Sequence, residues 1–357
     1  MSEQPREDGR GPDLDDDLGD LVHLYEGPTM ADLIDRALRR YPAQVAMVDH
    51  RGPVTYAALS DRISRAARVL EAAGVQRGSG VAQLATNSID AWVVQAATYF
   101  LGARFVGLHA RGSLDDQTFM VTDSGAATLV VDAGVHPGRA DELARGVGTV
   151  TSVLTHGPAA GAVDLWAEGA ALTAERFIPR ARWGDIARLA YTGGTTGRPK
   201  GVMLPHRSLV INTLMTLAEK AWPNPIRLVL AAPITHGAGS YVLPVLLRGG
   251  TIRLLDHFDP DALLDTIEIE RYNATMLVPT MLYSLLDHPR TATADLSSLE
   301  LVTYGASPVS PDRLAEALEV LGPVLQQGYG QTEAPNTIAT LFPSEHTSDR
   351  LGSIGLP

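Results

Sequence analysis

Short apolar runs bounded by glycine alternate along this chain with longer stretches whose apolar residues fall at helical spacing. Val45–Asp49, Gly80–Leu84, Phe105–Leu108 and Ala127–Val131 read as strands in the first half. Asp185–Tyr191, Arg227–Ala231, Thr251–Leu255, Ala274–Val278, Leu301–Tyr304 and Val324–Tyr329 read as strands in the second. Helices are expected between them. Thr29 is placed to cap one whose face is Met30, Leu33, Ile34 and Ala37. Thr55 is placed to cap another, built on Leu59, Ile63, Ala66, Leu70 and Ala73 and stopped at Gly74. Strands that are apolar throughout are covered on both faces, and strand–helix–strand order favours parallel pairing. The expected class is α/β, as two doubly wound, mostly parallel sheets packed together.

A chain of 357 residues, 45% of them hydrophobic, has material for two or three domains. The Gly/Ala-rich stretch Thr155–Gly169 shows no strong period, so a seam is expected between it and Trp183. This divides the chain into α/β subdomains at 29–182 and 183–357. Residues 1–20 hold eight acidic residues against two basic ones and few apolar side chains, so 1–28 is expected to be a disordered acidic tail. Residues 1–20 carry half of the net charge of −12. Such a balance argues against a nucleic-acid binder, which needs a basic face. With no cysteine, disulfides, thiolate nucleophiles and cysteine metal sites are excluded. The N-terminus lacks the charged and apolar regions of a secretory signal, and no apolar run reaches membrane-spanning length. A cytoplasmic location is expected.

The segment Tyr191–Gly201 follows an apolar strand and holds four glycines, three threonines and Lys200 in eleven residues. Glycines let the backbone turn and aim N–H groups inward, threonine hydroxyls add donors, and a lysine adds a mobile positive charge. Together they suit a phosphate, although a glycine–threonine surface loop is the bland alternative. Lysine is scarce here: Lys200 and Lys220 are the chain's only two, against 27 arginines. The spacing is not that of a Walker A loop, and no G-x-G-x-x-G follows a strand. A second segment, Gly328–Glu333, offers Tyr329 between two glycines for stacking, Thr332 as a donor and Glu333 as a hard oxygen ligand for Mg²⁺. Alone it reads better as a turn with a packed tyrosine.

Taken together, these segments resemble the adenylate-forming superfamily of acyl-CoA synthetases, firefly-type luciferases and peptide-synthetase adenylation domains, and most of all the acyl-CoA synthetases. Tyr191–Gly201 is similar to the family's Y-T-S-G-T-T-G-x-P-K-G phosphate loop, departing from it at Gly194, where serine is usual. Tyr329–Glu333 is similar to its Y-G-x-T-E motif, and Tyr304–Pro308 to its G-A-x-P strand end. Pro233–Gly237 resembles the segment bordering the acyl pocket, and Val54–Leu59 and Gly74–Gly78 resemble the family's opening stretch.

The resemblance implies the fold of the family's large N-terminal domain and a set of roles. Thr192, Gly193, Gly194, Thr195, Thr196, Gly197 and Lys200 would hold the β- and γ-phosphates of ATP. Gly305, Ala306, Ser307, Gly328, Tyr329, Gly330 and Gln331 would hold the adenine end. Thr332 would touch the α-phosphate, and Glu333 would hold Mg²⁺. Thr192, Lys200, Thr332 and Glu333 are thus the catalytic candidates. His236, Gly237, Ala238, Gly239, Thr280, Met281, Tyr304, Gly330, Ala334 and Pro335 are candidates for the substrate pocket. His236 is read as pocket wall without an acid–base role, and His206 as a helix-start residue.

The implied reaction joins a carboxylic acid to ATP, giving acyl-AMP and pyrophosphate, before transfer to CoA or a carrier-protein thiol. Small and apolar pocket candidates, with no aspartate near His236 to meet an amino group, favour an apolar and bulky acid: aryl, fatty or terpenoid. In the family, residues beyond the segment that here ends at Pro357 supply a ribose-binding aspartate and a small C-terminal domain carrying a lysine. Neither is in this chain, so a large-domain piece with poor activity of its own is expected. The alternatives are a naturally divided enzyme lacking the thioester step, and a nucleotide-binding module that has lost catalysis. A homodimer is left open.

Overall fold

The computed structural model describes residues 26–173, 175–192 and 199–357. Residues 1–25 of the expected acidic tail and Gly193, Gly194, Thr195, Thr196 and Gly197 of the glycine loop lie outside the described residues. The strands are β1 (Val45–Asp49), β2 (Gly52–Thr55), β3 (Gly80–Leu84), β4 (Arg104–Gly107), β5 (Thr128–Asp132), β6 (Ser152–His156), β7 (Val163–Asp164), β8 (Ile186–Thr192), β9 (Lys200–Pro205), β10 (Arg227–Leu230), β11 (Thr251–Leu254), β12 (Ala274–Leu277), β13 (Leu301–Gly305), β14 (Leu325–Gln331) and β15 (Ala334–Leu341).

They form two sheets. One runs β7-β6-β5-β3-β4-β8-β9 and the other β15-β14-β13-β12-β10-β11-β1-β2. Pairing is parallel except for the hairpins β1–β2, β8–β9 and β14–β15. The expected architecture of two mostly parallel sheets is therefore what the chain adopts. Strand membership, however, crosses the expected 182/183 boundary in both directions. β8 and β9 complete the sheet of the first half, through β4–β8 pairing of Phe105 with Arg188. β1 and β2 join the sheet of the second half, through Met47 opposite Ile252. The physical tie is Tyr56, fully buried, whose hydroxyl donates to the Gly250 carbonyl at 2.7 Å just ahead of β11. The stretch Thr155–Gly169, without a strong period in the sequence, holds the end of β6, the short β7 and most of a helix over Leu165–Ala170.

Layers alternate helix, sheet, helix, sheet, helix. The central layer contains helices Met30–Arg40, Tyr56–Ala72, Ile89–Phe100 and Val242–Leu247, whose side chains form one continuous apolar cluster between the sheets. Every residue of Ile89–Phe100 is buried, as expected of a helix apolar on all sides. Thr29 caps the first helix reciprocally: its hydroxyl accepts the Asp32 N–H at 3.2 Å, while the Asp32 carboxylate accepts the Thr29 N–H at 2.8 Å. Such a box contributes about 1 kcal/mol. Helices Pro260–Glu268, Pro279–Leu286 and Pro311–Leu321 cover the outer face of the β10–β14 region, and Leu114–Asp123 with Arg139–Gly146 cover that of the other sheet. Among the described residues no helix is long and apolar enough to cross a membrane.

Candidate active site

The two motif segments occupy equivalent places in different sheets: each is a hairpin ending at a sheet edge. β9 is the terminal strand of one sheet and β15 of the other. In the first hairpin Thr192 stands opposite Lys200. Tyr191 anchors the strand, its hydroxyl donating to Asp123 Oδ2 at 2.7 Å and its ring edge-on to Phe119. In the second, Gln331 pairs with Ala334, leaving Thr332 and Glu333 as a two-residue turn.

Behind that turn, Gly305 of β13 lies opposite Gly328 of β14. A Cβ on Gly305 would come within 2.3 Å of the Gly328 carbonyl oxygen, so only glycine fits. The next residue, Ala306, has φ of 71°, a left-handed conformation that an L side chain adopts at a cost. The chain thus leaves the sheet abruptly where an exposed ledge is formed.

A cavity of about 590 Å³ opens between the two edges. Thr192 borders it from one sheet. Gly305, Ala306, Gly328, Gly330, Gln331, Thr332, Glu333 and Pro335 border it from the other, and His236, Gly237 and Gly239 close one side. Glu333 is the single carboxylate among the described lining residues. A neighbouring recess of about 380 Å³ shares Tyr304, Gly305, Ala306, Gly328 and Gly330 and adds Ser307 and Tyr329, whose ring is exposed. Lys200 is exposed across the hairpin from Thr192 but borders neither space.

Several expected pocket residues lie elsewhere. Thr280 and Met281 line neither cavity. They belong to helix Pro279–Leu286, where Met281 packs against two apolar clusters and Thr280 faces out. Ala238 is buried as packing, and Ala334 is passed over in favour of Pro335. Tyr304 borders both spaces, but its ring is buried, with the hydroxyl 3.0 Å from His346 Nε2. Among the described residues no group of three His, Cys, Asp or Glu could hold a metal ion. A lone Glu333 still suits Mg²⁺, which commonly takes one or two protein carboxylates and completes its shell with phosphate oxygens and water.

The inner wall holds polar residues absent from the motifs: Gln95, Tyr99, Arg188, Asn212 and Thr213. Gln95 Nε2 donates to the Tyr99 hydroxyl at 2.8 Å, Asn212 Nδ2 donates to the Pro335 carbonyl, and Arg188 Nη2 donates to the Thr235 carbonyl. The one sequence signal for Arg188 was a charge inside an otherwise apolar strand. His236 opens onto the cavity, with Nδ1 3.0 Å from Thr235 Oγ1 and its ring edge-on to His109. Desolvation, and then repulsion from Arg188 and His109, push it down to about 4, so at neutral pH it is an uncharged wall. His206 is the first residue of helix His206–Glu219 and is fully buried. Its Nδ1 accepts the Met30 N–H at 3.2 Å.

Over 342 residues the chain is 38% identical to a medium/long-chain fatty-acid–CoA ligase of Mycobacterium tuberculosis, covering 94% of this chain and 60% of that protein. It is 36% identical over 326 residues to a feruloyl-CoA synthase of an Amycolatopsis species, covering 90% and 63%. Among solved structures, an amide bond synthetase from Marinactinospora thermotolerans superposes with a TM-score of 0.84 at 33% identity, covering 91% of this chain and 65% of that one. The chain therefore spans slightly less than two thirds of the length of these relatives. The match to the family of AMP-binding enzymes runs over residues 34–357. By sequence and by fold, this chain belongs to the AMP-binding enzyme family.

Proposed function

We propose that this chain forms the large part of an adenylating site, which activates a bulky carboxylic acid with ATP as acyl-AMP and releases pyrophosphate, ahead of transfer to CoA. The carrying observation is that Thr192 and the Thr332–Glu333 turn, drawn from the edges of two different sheets, wall one cavity. In the reaction a carboxylate oxygen bonds to the α-phosphorus, and the bond from that phosphorus to the bridging oxygen of pyrophosphate breaks. Two anions must meet, so donors fixed before the reaction lower its barrier. Thr192 and Thr332 supply hydroxyls from opposite walls, and Lys200 supplies a positive charge across the hairpin from Thr192. Glu333 would hold Mg²⁺, whose charge would offset that of the phosphates there. The recess beside Tyr329 and Gly305–Ser307 suits adenine, with the exposed ring for stacking.

A cavity of about 590 Å³ is in the range that takes a drug-sized ligand, which supports a bulky acid. That relatives are named as CoA ligases supports a thiol acceptor and acid–thiol ligase chemistry. A cytoplasmic location, where ATP and CoA are supplied, belongs to the same reading. Calorimetric titration with AMP and with a non-hydrolysable acyl-sulfamoyl adenosine tests it. One-to-one binding is expected, with the acyl analogue at least tenfold tighter. Absence of binding by both would overturn the reading. So would release of ADP rather than AMP when ATP, Mg²⁺ and an acid are supplied.

A further inference from the structure

Arg188 sits in the middle of β8, and its side chain reaches the cavity wall beside Tyr99, Thr235 and His236. Of its five N–H donors, one on Nη2 goes to the Thr235 carbonyl. Among the described residues Nε is sealed from solvent with no acceptor, and Nη1 donates to no protein acceptor. Among the described residues no carboxylate pairs with it, whereas Arg51, Arg77, Arg176, Arg290 and Arg313 all sit on carboxylates. Its titratable neighbours are Tyr99 and His236, neither of them anionic at neutral pH, and burial pushes the guanidinium below its usual range. An uncompensated cation in a protein wall is costly, and an apolar side chain would serve a hydrocarbon substrate better.

The position along the strand adds direction. Arg188 and Thr192 lie on the same face of β8, four residues apart, which is roughly 13 Å at the usual strand rise. Thr192 marks the phosphate end, where the reacting carboxyl group must lie. Arg188 therefore stands toward the opposite end of the acid.

We propose that Arg188 is a specificity-determining residue that recognises a second carboxylate at the end of the acid remote from the reacting one. The inference rests on the adenylation reading and narrows it: the preferred substrate is a bulky acid with a distal anionic oxygen, not the wholly apolar acid suggested by the motif residues. A guanidinium matches a carboxylate with paired N–H donors, which a hydrocarbon end cannot use.

The test uses 3-phenylpropanoate and 3-(4-carboxyphenyl)propanoate, titrated calorimetrically into the chain, with AMP titrated separately. Wild type should bind the dicarboxylate at least tenfold more tightly. R188M should bring the two acids within about threefold by weakening the dicarboxylate, and R188K should retain part of the preference. Equal binding of the two acids by wild type would overturn the proposal without needing any variant. Equal weakening of both by R188M would do the same, by showing that the arginine merely holds the Thr235 segment. Loss of AMP binding by wild type would instead sink the adenylation reading, so the two failures are distinguishable.

Discussion

Acid should weaken this protein through His206, and the size of the effect can be worked out. The ring is fully buried, edge-on to Tyr99, and its Nδ1 accepts the Met30 N–H. The neutral ring must therefore carry its proton on Nε2. A second proton, on Nδ1, would face a donor. Burial pushes the ring from 6.5 down to about 4, despite opposing attraction from Asp185 and Asp32. Between those values the unfolded chain takes a proton that the folded chain refuses. The stability contributed by the neutral ring is thus complete above pH 6.5 and is lost progressively as pH falls toward 4. At about 1.4 kcal/mol per unit the full loss is about 3 kcal/mol. Other depressed histidines, His136, His156, His236 and His346, add to the total acid sensitivity, so the measurement must be a difference. Urea unfolding of wild type and H206Q between pH 8 and pH 4 isolates it. Glutamine can still accept the Met30 N–H but does not titrate. Wild type should lose about 3 kcal/mol more than the variant across that range. Parallel curves would refute the argument. Helix His206–Glu219 also carries Leu209, Asn212 and Thr213 into the cavity wall, so loosening its first turn should reach the ligand site.

Neighbouring residues at the β13 end should respond oppositely to exchanges between glycine and alanine. G305A places a Cβ against the Gly328 carbonyl and should cost about 1–3 kcal/mol and weaken AMP binding, while a thermal melt unchanged from wild type would contradict the close approach. A306G relieves a left-handed alanine and should be neutral to stabilising by up to about 1 kcal/mol, so a clear loss of stability would show that the methyl group is needed. E333Q should reduce Mg²⁺-dependent ATP binding at least tenfold while leaving Mg²⁺-free AMP binding within about threefold, and equal loss of both would remove the carboxylate from any metal role.

Much of the layering was legible in the residues. Parallel strands covered on both faces leave uninterrupted apolar runs, so β3, β5, β12 and β13 stand out, and Thr29 and Thr55 mark their helices because capping is a local interaction. Edge strands are another matter. β9 and β15 each have one neighbour and keep polar or exposed residues, Met203 among them, so neither carries a strand-like pattern. Met281 shows the limit for the site: it was expected in the substrate pocket, but helical phase turns it toward the core.

Local chemistry, carried by Tyr191–Gly201 and Gly328–Glu333, was enough to indicate the family and the phosphate-binding character of both segments. It could not say that the β8–β9 and β14–β15 hairpins, about 140 positions apart, end their sheets facing a common space. Nor could it say that Arg188 would be left, among the described residues, without a carboxylate. Those facts depend on which strands become neighbours across the central helix layer. That is decided by how two sheets and their covering helices bury apolar surface together, a property of the whole packed chain and of no single segment.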